Sequence, residues 1–525
     1  MEQQVEHQRY ETYFATGSNR DICGLIGKRN EPSFWEDCQS GLEAAPPLEV
    51  TPLSVTGPPA NRVDLVFFAD GYLESERSKF LDDAQRLAND LTQNQTFNTV
   101  KPLLNFWAAF SPSKESGIGV GGVPKDTVFG LYRDGTELRG VYCSKLSVAR
   151  EACQSLGDRC NYPIVLGNDP FYGGIGGDVV TVTASRFNGP LVLRHELGHS
   201  IIDVGEEYDG GYAYWGVNNI QDLSEPVTWG NWLTNRSSTT AGDAYSRIER
   251  STMPLQQYVW SMLNTTKPWS VRFVSSGTYS SHLVKFSLSG IPKKSSIKIE
   301  LDGVDLDWSH EPNIGLDRWH YDIYQSKRLT AGSHELKFTL QDASLEGTAQ
   351  LCSIEVLEYG DGNEFISAPG YYGLYPTYSA TNVTTYRPTN DACLMRTVIF
   401  PDFCKVCMEG LWLSLLRRLN LIENVTETCN TRSDANAQYK VLEIEPLPLA
   451  QFRSSPVKPE ESYSVTWKRN GKVLNQYENM TRIEIENESS VGMYQIDIKF
   501  TSEEIRADDA ALRGWKDYYV FSQCP

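Results

Sequence analysis

The chain lacks any apolar run near the roughly 18 residues needed to span a bilayer, which leaves it without a sequence signal for a membrane helix. Its first residues, MEQQVEHQRYETYF, lack the basic start and apolar core of a signal peptide. It is short of positive charge: 48 Lys and Arg stand against 67 Asp and Glu, a net charge of −19. That balance disfavours a phosphate backbone or an anionic membrane as partner. Histidine is scarce, with seven in 525 residues. No repeat or low-complexity tract interrupts the chain. What it has in quantity is aromatic residues, 27 Tyr, 20 Phe and 12 Trp, with 40% apolar residues overall. Such a chain can bury several cores, and its length suggests about three or four domains at roughly 150 residues each.

Eleven cysteines are spread from Cys23 to Cys524, as in a multi-domain disulfide protein and unlike a metal ribbon. The odd count leaves at least one of them free or intermolecular. Seven N-x-S/T sequons stand at Asn94, Asn235, Asn264, Asn382, Asn424, Asn479 and Asn487. Cysteines and sequons together favour a secreted glycoprotein whose signal has been removed, over a cytosolic chain.

Residues 1–60 read as an irregular N-terminal extension ending in a Pro-rich stretch. VDLVFFADGY, 63–72, is a buried strand stopped by an Asp-Gly turn. Residues 76–93 place Phe80, Leu81, Ala84, Leu87 and Leu91 on one helical face. A helix is expected over 142–156, and strands over 162–167 and 178–184, with a Gly-rich loop between them. Asn188-Gly189-Pro190 starts a further helix, LVLRHELGHSIIDVG, for which Gly205 is a natural stop. Beyond 268 short strands recur to about 358, the texture of a small β-sandwich. Residues 402–422 contain a buried helix. Strands return from about 436, and Trp467 gives that region a loose immunoglobulin-like character. The texture divides the chain into 1–60, an extension; 61–267, a mixed strand and helix region; 268–358, a small sandwich; 359–432, a segment with one helix; and 433–525, a C-terminal sandwich.

His195-Glu196-Leu197-Gly198-His199 is an HExxH motif on the expected helix. Residues four apart share a helix face, so two imidazoles can reach one zinc ion at about 2.0–2.1 Å. Glu196 lies beside such a metal without binding it. It can take a proton from a water and pass it to a leaving amine. A third ligand is required, and Gly205 can turn the chain back to supply a carboxylate. Glu206 is favoured and Glu207 is the alternative; Asp203 drifts around the helix and Asp209 lies farther on. The unchosen carboxylate would orient a ligand His or a nearby Arg.

These blocks resemble the IgA-peptidase family of zinc metallopeptidases. VFFADGY is similar to its opening strand and turn, HELGHSIIDVGEEYDGGY to its active-site helix, and TYRPTNDACLMRTVIFPDFCKVCMEGL, 385–411, to its closing segment. The resemblance implies a mixed α+β fold: a metzincin-like zinc peptidase domain with an inserted β-sandwich and a C-terminal immunoglobulin-like β-sandwich, as in a eukaryotic-type secreted member. It implies that Met395 forms a floor under the zinc. It also implies that strand 178–184 is an edge beside the cleft, open to substrate pairing. The chain departs from the usual metzincin pattern, because Gly205 stands where a third His or Asp is usual.

Other signals are weaker. Cys404-x-x-Cys407 reads as a structural disulfide or two half-cystines, since a second zinc site would need further clustered ligands and none is evident. GIGVGG, 117–122, lacks the strand–helix context of a nucleotide site and reads as a mobile loop. LDGVDLDW, 301–308, and GDGNE, 360–364, read as hairpin turns rather than calcium loops. The expected protein is a secreted zinc endopeptidase acting on proteins or glycoproteins. Glu196 is its base, and zinc is held by His195, His199 and Glu206. The β-domains are candidate glycan contacts, and neither nucleic acid nor a membrane span is expected. The alternatives are a secreted glycan- or protein-binding adhesion protein with a structural zinc, and a zinc amidase or aminopeptidase.

Overall fold

A computed structural model of the chain describes residues 44–93, 96–234, 247–432, 438–449 and 458–525. Most of the expected extension, Cys23, Cys38 and the sequon residues Asn94 and Asn235 lie outside them. The fold is mixed and sheet-rich, with few helices.

The first half is built on one sheet. Its strands are β1 (Glu49–Ser54), β2 (Val63–Asp70), β3 (Leu104–Phe110), β4 (Tyr162–Gly167), β5 (Gly174–Ile175) and β6 (Val180–Thr183), in spatial order β1-β3-β2-β4-β6-β5. The four central strands are parallel, and β1 and β5 close the edges antiparallel. Every residue of β2 is buried. Val63, Leu65 and Phe67 face a core shared with α1 (Arg77–Leu91) and α3 (Gly189–Ile201). Val66 and Phe68 face another core, shared with α2 (Leu146–Gln154). A parallel strand covered on both faces has no solvent side, so it reads as an apolar run rather than as alternation. At its end the buried Asp70 carboxylate accepts from the backbone N–H of Phe129 and Leu131 and from the Thr127 hydroxyl. The next residue, Gly71, has φ +72°, and a Cβ there would come within 2.3 Å of the Gly117 carbonyl oxygen. The Asp-Gly turn therefore anchors the 117–131 segment against the sheet.

Two expectations need correction. Strand β6 is not an edge, because β5 pairs with its outer side; two residues in a Gly-rich loop are too short to signal a strand. Helix α3 ends at Ile201, before Gly205. Ile202 is already extended, and Val204 bridges Gly216. Gly205 is needed for a different reason: a Cβ there would lie 2.5 Å from the Trp215 backbone nitrogen.

An inserted sandwich follows. One sheet combines Ser251–Gln257, Ser261–Met262, Ser281–Ser289, Trp319–Gln325 and Gln350–Tyr359; the other combines Trp269–Ser275, Ile297–Leu301, Val304–Asp305 and Gly332–Leu340. Phe286 and Phe338 meet between them at 5.5 Å. The sandwich opens at Ser251, ahead of residue 268, because STMPLQQ has neither alternation nor β-branched density to mark it. A loop of the insert docks on the turn leading into α3. The Asp317 carboxylate accepts from the Tyr172 N–H, the Ser185 hydroxyl and the Asn188 side-chain amide.

After a short hairpin, Tyr375–Tyr378 with Thr384–Arg387, the chain enters α4 (Lys405–Leu416), which packs on α3. The C-terminal sandwich pairs a three-stranded sheet (Ile422–Thr431, Gln438–Pro446, Arg482–Glu486) with a four-stranded one (Glu461–Arg469, Lys472–Val473, Gly492–Ser502, Arg513–Val520). Trp467 is fully buried, and its indole donates to the Met480 carbonyl at 2.7 Å. The Cys429–Cys524 disulfide joins the first strand to the chain end. Trp412 of α4 stacks near Phe500 at 5.2 Å, so this core is continuous with that of the first half.

Candidate metal centre

Nine of the 13 residues of helix α3 are buried, Arg194 and His195 among them. Pro190 fits its first turn, where no backbone donor is missed. Arg194 is buried and pairs with Asp90 of α1, which fixes the rotation of α3 against its neighbour. His195 and His199 then project to one side, with ring centroids 4.9 Å apart.

Each ring is oriented by a carbonyl. His195 Nδ1 lies 3.2 Å from the Leu394 oxygen, and His199 Nδ1 lies 3.2 Å from the Val204 oxygen. Donation from Nδ1 leaves each Nε2 with its lone pair directed away from the backbone. Both Nε2 atoms face one carboxylate. Glu206 Oε1 is 3.0 Å from His199 Nε2, and Glu206 Oε2 is 3.3 Å from His195 Nε2. Ligands held tetrahedrally at about 2.0–2.1 Å would be separated by about 3.3 Å, and the two nitrogen–oxygen distances lie at or a little under that spacing. Tyr208 donates its hydroxyl to Glu206 Oε1 at 3.1 Å. Nothing in the sequence pattern had marked Tyr208 for this.

The charges match the geometry. Burial disfavours a charged His195 ring, but the facing Glu206 carboxylate outweighs this and brings its pKa up to about 9. His199 is raised by the same carboxylate against the same burial. Burial also disfavours the Glu206 anion, yet the two imidazoles hold its carboxyl well below the usual carboxylate range. The three groups thus surround a point where positive charge is stabilised, and two nitrogens and a carboxylate are the donor set that zinc takes. Burial raises the Glu196 carboxyl above its ordinary value; the imidazoles oppose this and Glu206 adds to it. Glu196 stands against the sheet edge. A Cβ at Gly176 would lie 3.0 Å from Glu196 Oε2 and 3.3 Å from the His199 Cβ, so only glycine lets that segment run past the carboxylate.

Met395 is fully buried beneath α3, and a Cβ at Gly198 would meet its sulfur at 3.1 Å and Phe403 at 3.0 Å. The insert also packs on the segment before β5: the Arg318 guanidinium lies over the Tyr172 ring at 4.8 Å.

Of the candidate third ligands, Glu206 meets the imidazoles and Glu207 does not. Glu207 turns to the other side, where its Oε1 accepts from the Asn218 amide at 2.9 Å and faces Cys407 Sγ at 3.6 Å. It orients neither a ligand His nor an Arg through its carboxylate. Asp203 is exposed, and Asp209 is buried against Arg396 at 2.6 Å. The Cys404–Cys407 pair also differs from expectation. Both are free, with sulfurs 3.8 Å apart, and the further ligands that the sequence did not reveal are Cys393 and Glu207. These lie 14 and 200 residues from Cys407 in the chain, which is why local spacing could not bring them together.

No curated protein sequence matches the chain. Among solved structures, the sugar-binding EclA C-terminal domain matches 24% of this chain and 91% of its own length, at 13% identity and a TM-score of 0.15. An FMN-binding beta-glucuronidase from Facaelibacterium prausnitzii L2-6 matches at 11% identity and a TM-score of 0.12, over 49% of this chain and 34% of its own. A GH2 beta-galacturonidase from Eisenbergiella tayi matches at 12% identity and 0.12, over 53% of this chain and 44% of its own. Scores this low carry no argument about the fold. A family match is of another kind: residues 51–249, which hold the four parallel strands, α3 and Glu206, match IgA Peptidase M64. Over that region the chain is similar to the IgA peptidase M64 family, and the match does not extend to the rest of the chain.

Proposed function

We propose that the protein is a secreted zinc-dependent endopeptidase with a metzincin-like centre. His195, His199 and Glu206 hold the metal, and Glu196 acts as general base and acid. One observation carries this reading: both imidazole Nε2 atoms converge on Glu206 within 3.0–3.3 Å, with Glu196 next to the first ligand. Zinc, when bound, supplies Lewis acidity toward a water and a scissile carbonyl. The Glu196 carboxylate takes a proton from the attacking water and passes it to the leaving amine nitrogen. Its raised proton affinity suits both halves of that transfer. The Leu394 and Val204 carbonyls keep the His rings in the tautomer that presents Nε2. A substrate strand pairs with the outer edge at β5 rather than at β6, where Gly174 and Gly176 leave no side chain between the strand and Glu196.

Two features support secretion. Cys153–Cys160 and Cys429–Cys524 are disulfides. The sequon residues Asn382, Asn424 and Asn479 are exposed, and Asn264 and Asn487 half-buried. The test is cleavage of a panel of unfolded proteins and glycoproteins by wild type and Glu196→Ala, with and without a zinc chelator. Cleavage lost in both, with metal retained by the variant, is the expected result. A zinc-loaded wild type that cleaves nothing on the panel, yet retains glycan or protein ligands, would favour an adhesion protein instead.

A further inference from the structure

Among the described residues, a second group of potential metal ligands is gathered away from the imidazoles. Cys393, Cys404, Cys407 and Glu207 are all buried, with one ligand atom of each within 4.8 Å of the others. Cys393 Sγ and Cys404 Sγ each lie 3.8 Å from Cys407 Sγ, and Glu207 Oε1 lies 3.6 Å from it. Thiolates placed tetrahedrally at about 2.3 Å from zinc are about 3.8 Å apart, and a carboxylate oxygen at about 2.0 Å is about 3.5 Å from each. A disulfide needs about 2.05 Å and could use only two of the three sulfurs. It would leave a thiol and a carboxylate sealed in the core. Glu207 is fully buried, and among the described residues its Oε2 has no hydrogen-bond partner.

We propose that Cys393, Cys404, Cys407 and Glu207 form a second, structural zinc site, distinct from the His195–His199–Glu206 centre and independent of whether that centre is catalytic. Zinc displaces the thiol protons to solvent. Arg396 donates to the Glu207 carbonyl at 3.0 Å and so fixes the backbone of that ligand. The Cys404 N–H points at Cys393 Sγ at 3.4 Å, and Asn218 fixes Glu207 Oε1. All four ligand positions are filled by protein, as in closed structural sites. Its place explains its use. The ligands join three chain segments that support the other centre: the turn carrying Glu206, the loop carrying Leu394 and Met395, and the start of α4. The Glu207 N–H donates to the Met395 carbonyl at 3.0 Å, and the Leu394 carbonyl orients His195.

The test measures zinc per chain, free thiols and the spectrum of the cobalt-substituted full-length protein. Wild type should carry two zinc ions. His195→Ala/His199→Ala should keep one, and its cobalt form should show a thiolate-to-cobalt charge-transfer band. Cys393→Ser/Cys407→Ser should lose that band and one zinc; the His variant keeps the test decisive if the Cys variant does not fold. Metal-free His195→Ala/His199→Ala, with its three thiols either titratable or oxidised to a disulfide, would overturn the site. A wild type with a single zinc that survives in the His variant would support it while removing the metal from the other centre.

Discussion

The two ligand clusters share a stretch of chain and differ in what surrounds them. Glu206 and Glu207 are neighbours, but one completes a pair of imidazoles and the other a trio of thiols. The imidazole cluster has three protein donors, an adjacent carboxylate in Glu196, and a glycine-lined sheet edge beside it. The thiol cluster has four buried donors, with Cys404 and Cys407 at the start of α4 and the Glu207 N–H bonded to the Met395 carbonyl. Three ligands with a base allow water and substrate in; four ligands in a sealed core hold chain segments together. Chemistry therefore follows access and a nearby base, and metal affinity alone does not confer it.

The largest effect should come from the base. Glu196→Gln should lower peptide hydrolysis by about 10²–10⁴-fold with bound zinc unchanged, read by turnover and metal content together. Near-wild-type turnover would erase the distinction between the clusters. Next comes the wall between them. Met395→Ala should destabilise the fold by about 2–5 kcal/mol in denaturant melts. Met395→Leu should cost less than about 1.5 kcal/mol. Equal losses would mean that Met395 is held by something other than packing volume. Gly198→Ala presses a methyl on Met395 and Phe403 and should cost about 1–3 kcal/mol, with His195 and His199 still binding metal; full retention of stability would show the wall to be soft.

The smallest effect serves as a control far from both clusters. In the insert, burial lowers the pKa of His334, but hydrogen bonds to Asp302 and the Thr330 carbonyl raise it above 6.5. A raised folded-state pKa stabilises fully below 6.5 and loses that contribution as pH rises through the raised value. Asp302 is half exposed, so the contribution is at most about 1 kcal/mol. His334→Gln should flatten this part of the stability–pH curve. An unchanged curve would assign the dependence to groups around the clusters.

Much of the framework was legible because its signals are local. The apolar run of β2, the helix face of Phe80, Ala84, Leu87 and Leu91, and the Pro190 start of α3 each follow from burial and backbone geometry within a few residues. The LDGVDLDW and GDGNE segments are turns, with Asp302 and Gly303 at positive φ and the Asn363 N–H bonded to Asp361. The strands at Ser251–Gln257 and Gly174–Ile175 were not legible. The first is held by pairing with Gln350–Tyr359 and the second by pairing with β6, and neither has a pattern of its own.

The same division runs through the candidate centre. Two histidines four apart on a helix with a Glu between them are set by helical pitch, so the amino-acid order is enough to place them on one face. The choice between Glu206 and Glu207 is not of that kind. Past the helix, Glu206 bonds through its N–H to Ala213 and Glu207 to Met395, so adjacent side chains leave on opposite sides. Which side meets imidazole and which meets sulfur depends on where α3, α4 and the Met395 loop come to rest. Contacts spanning up to 200 residues form only as the core packs, and no spacing along the chain encodes them.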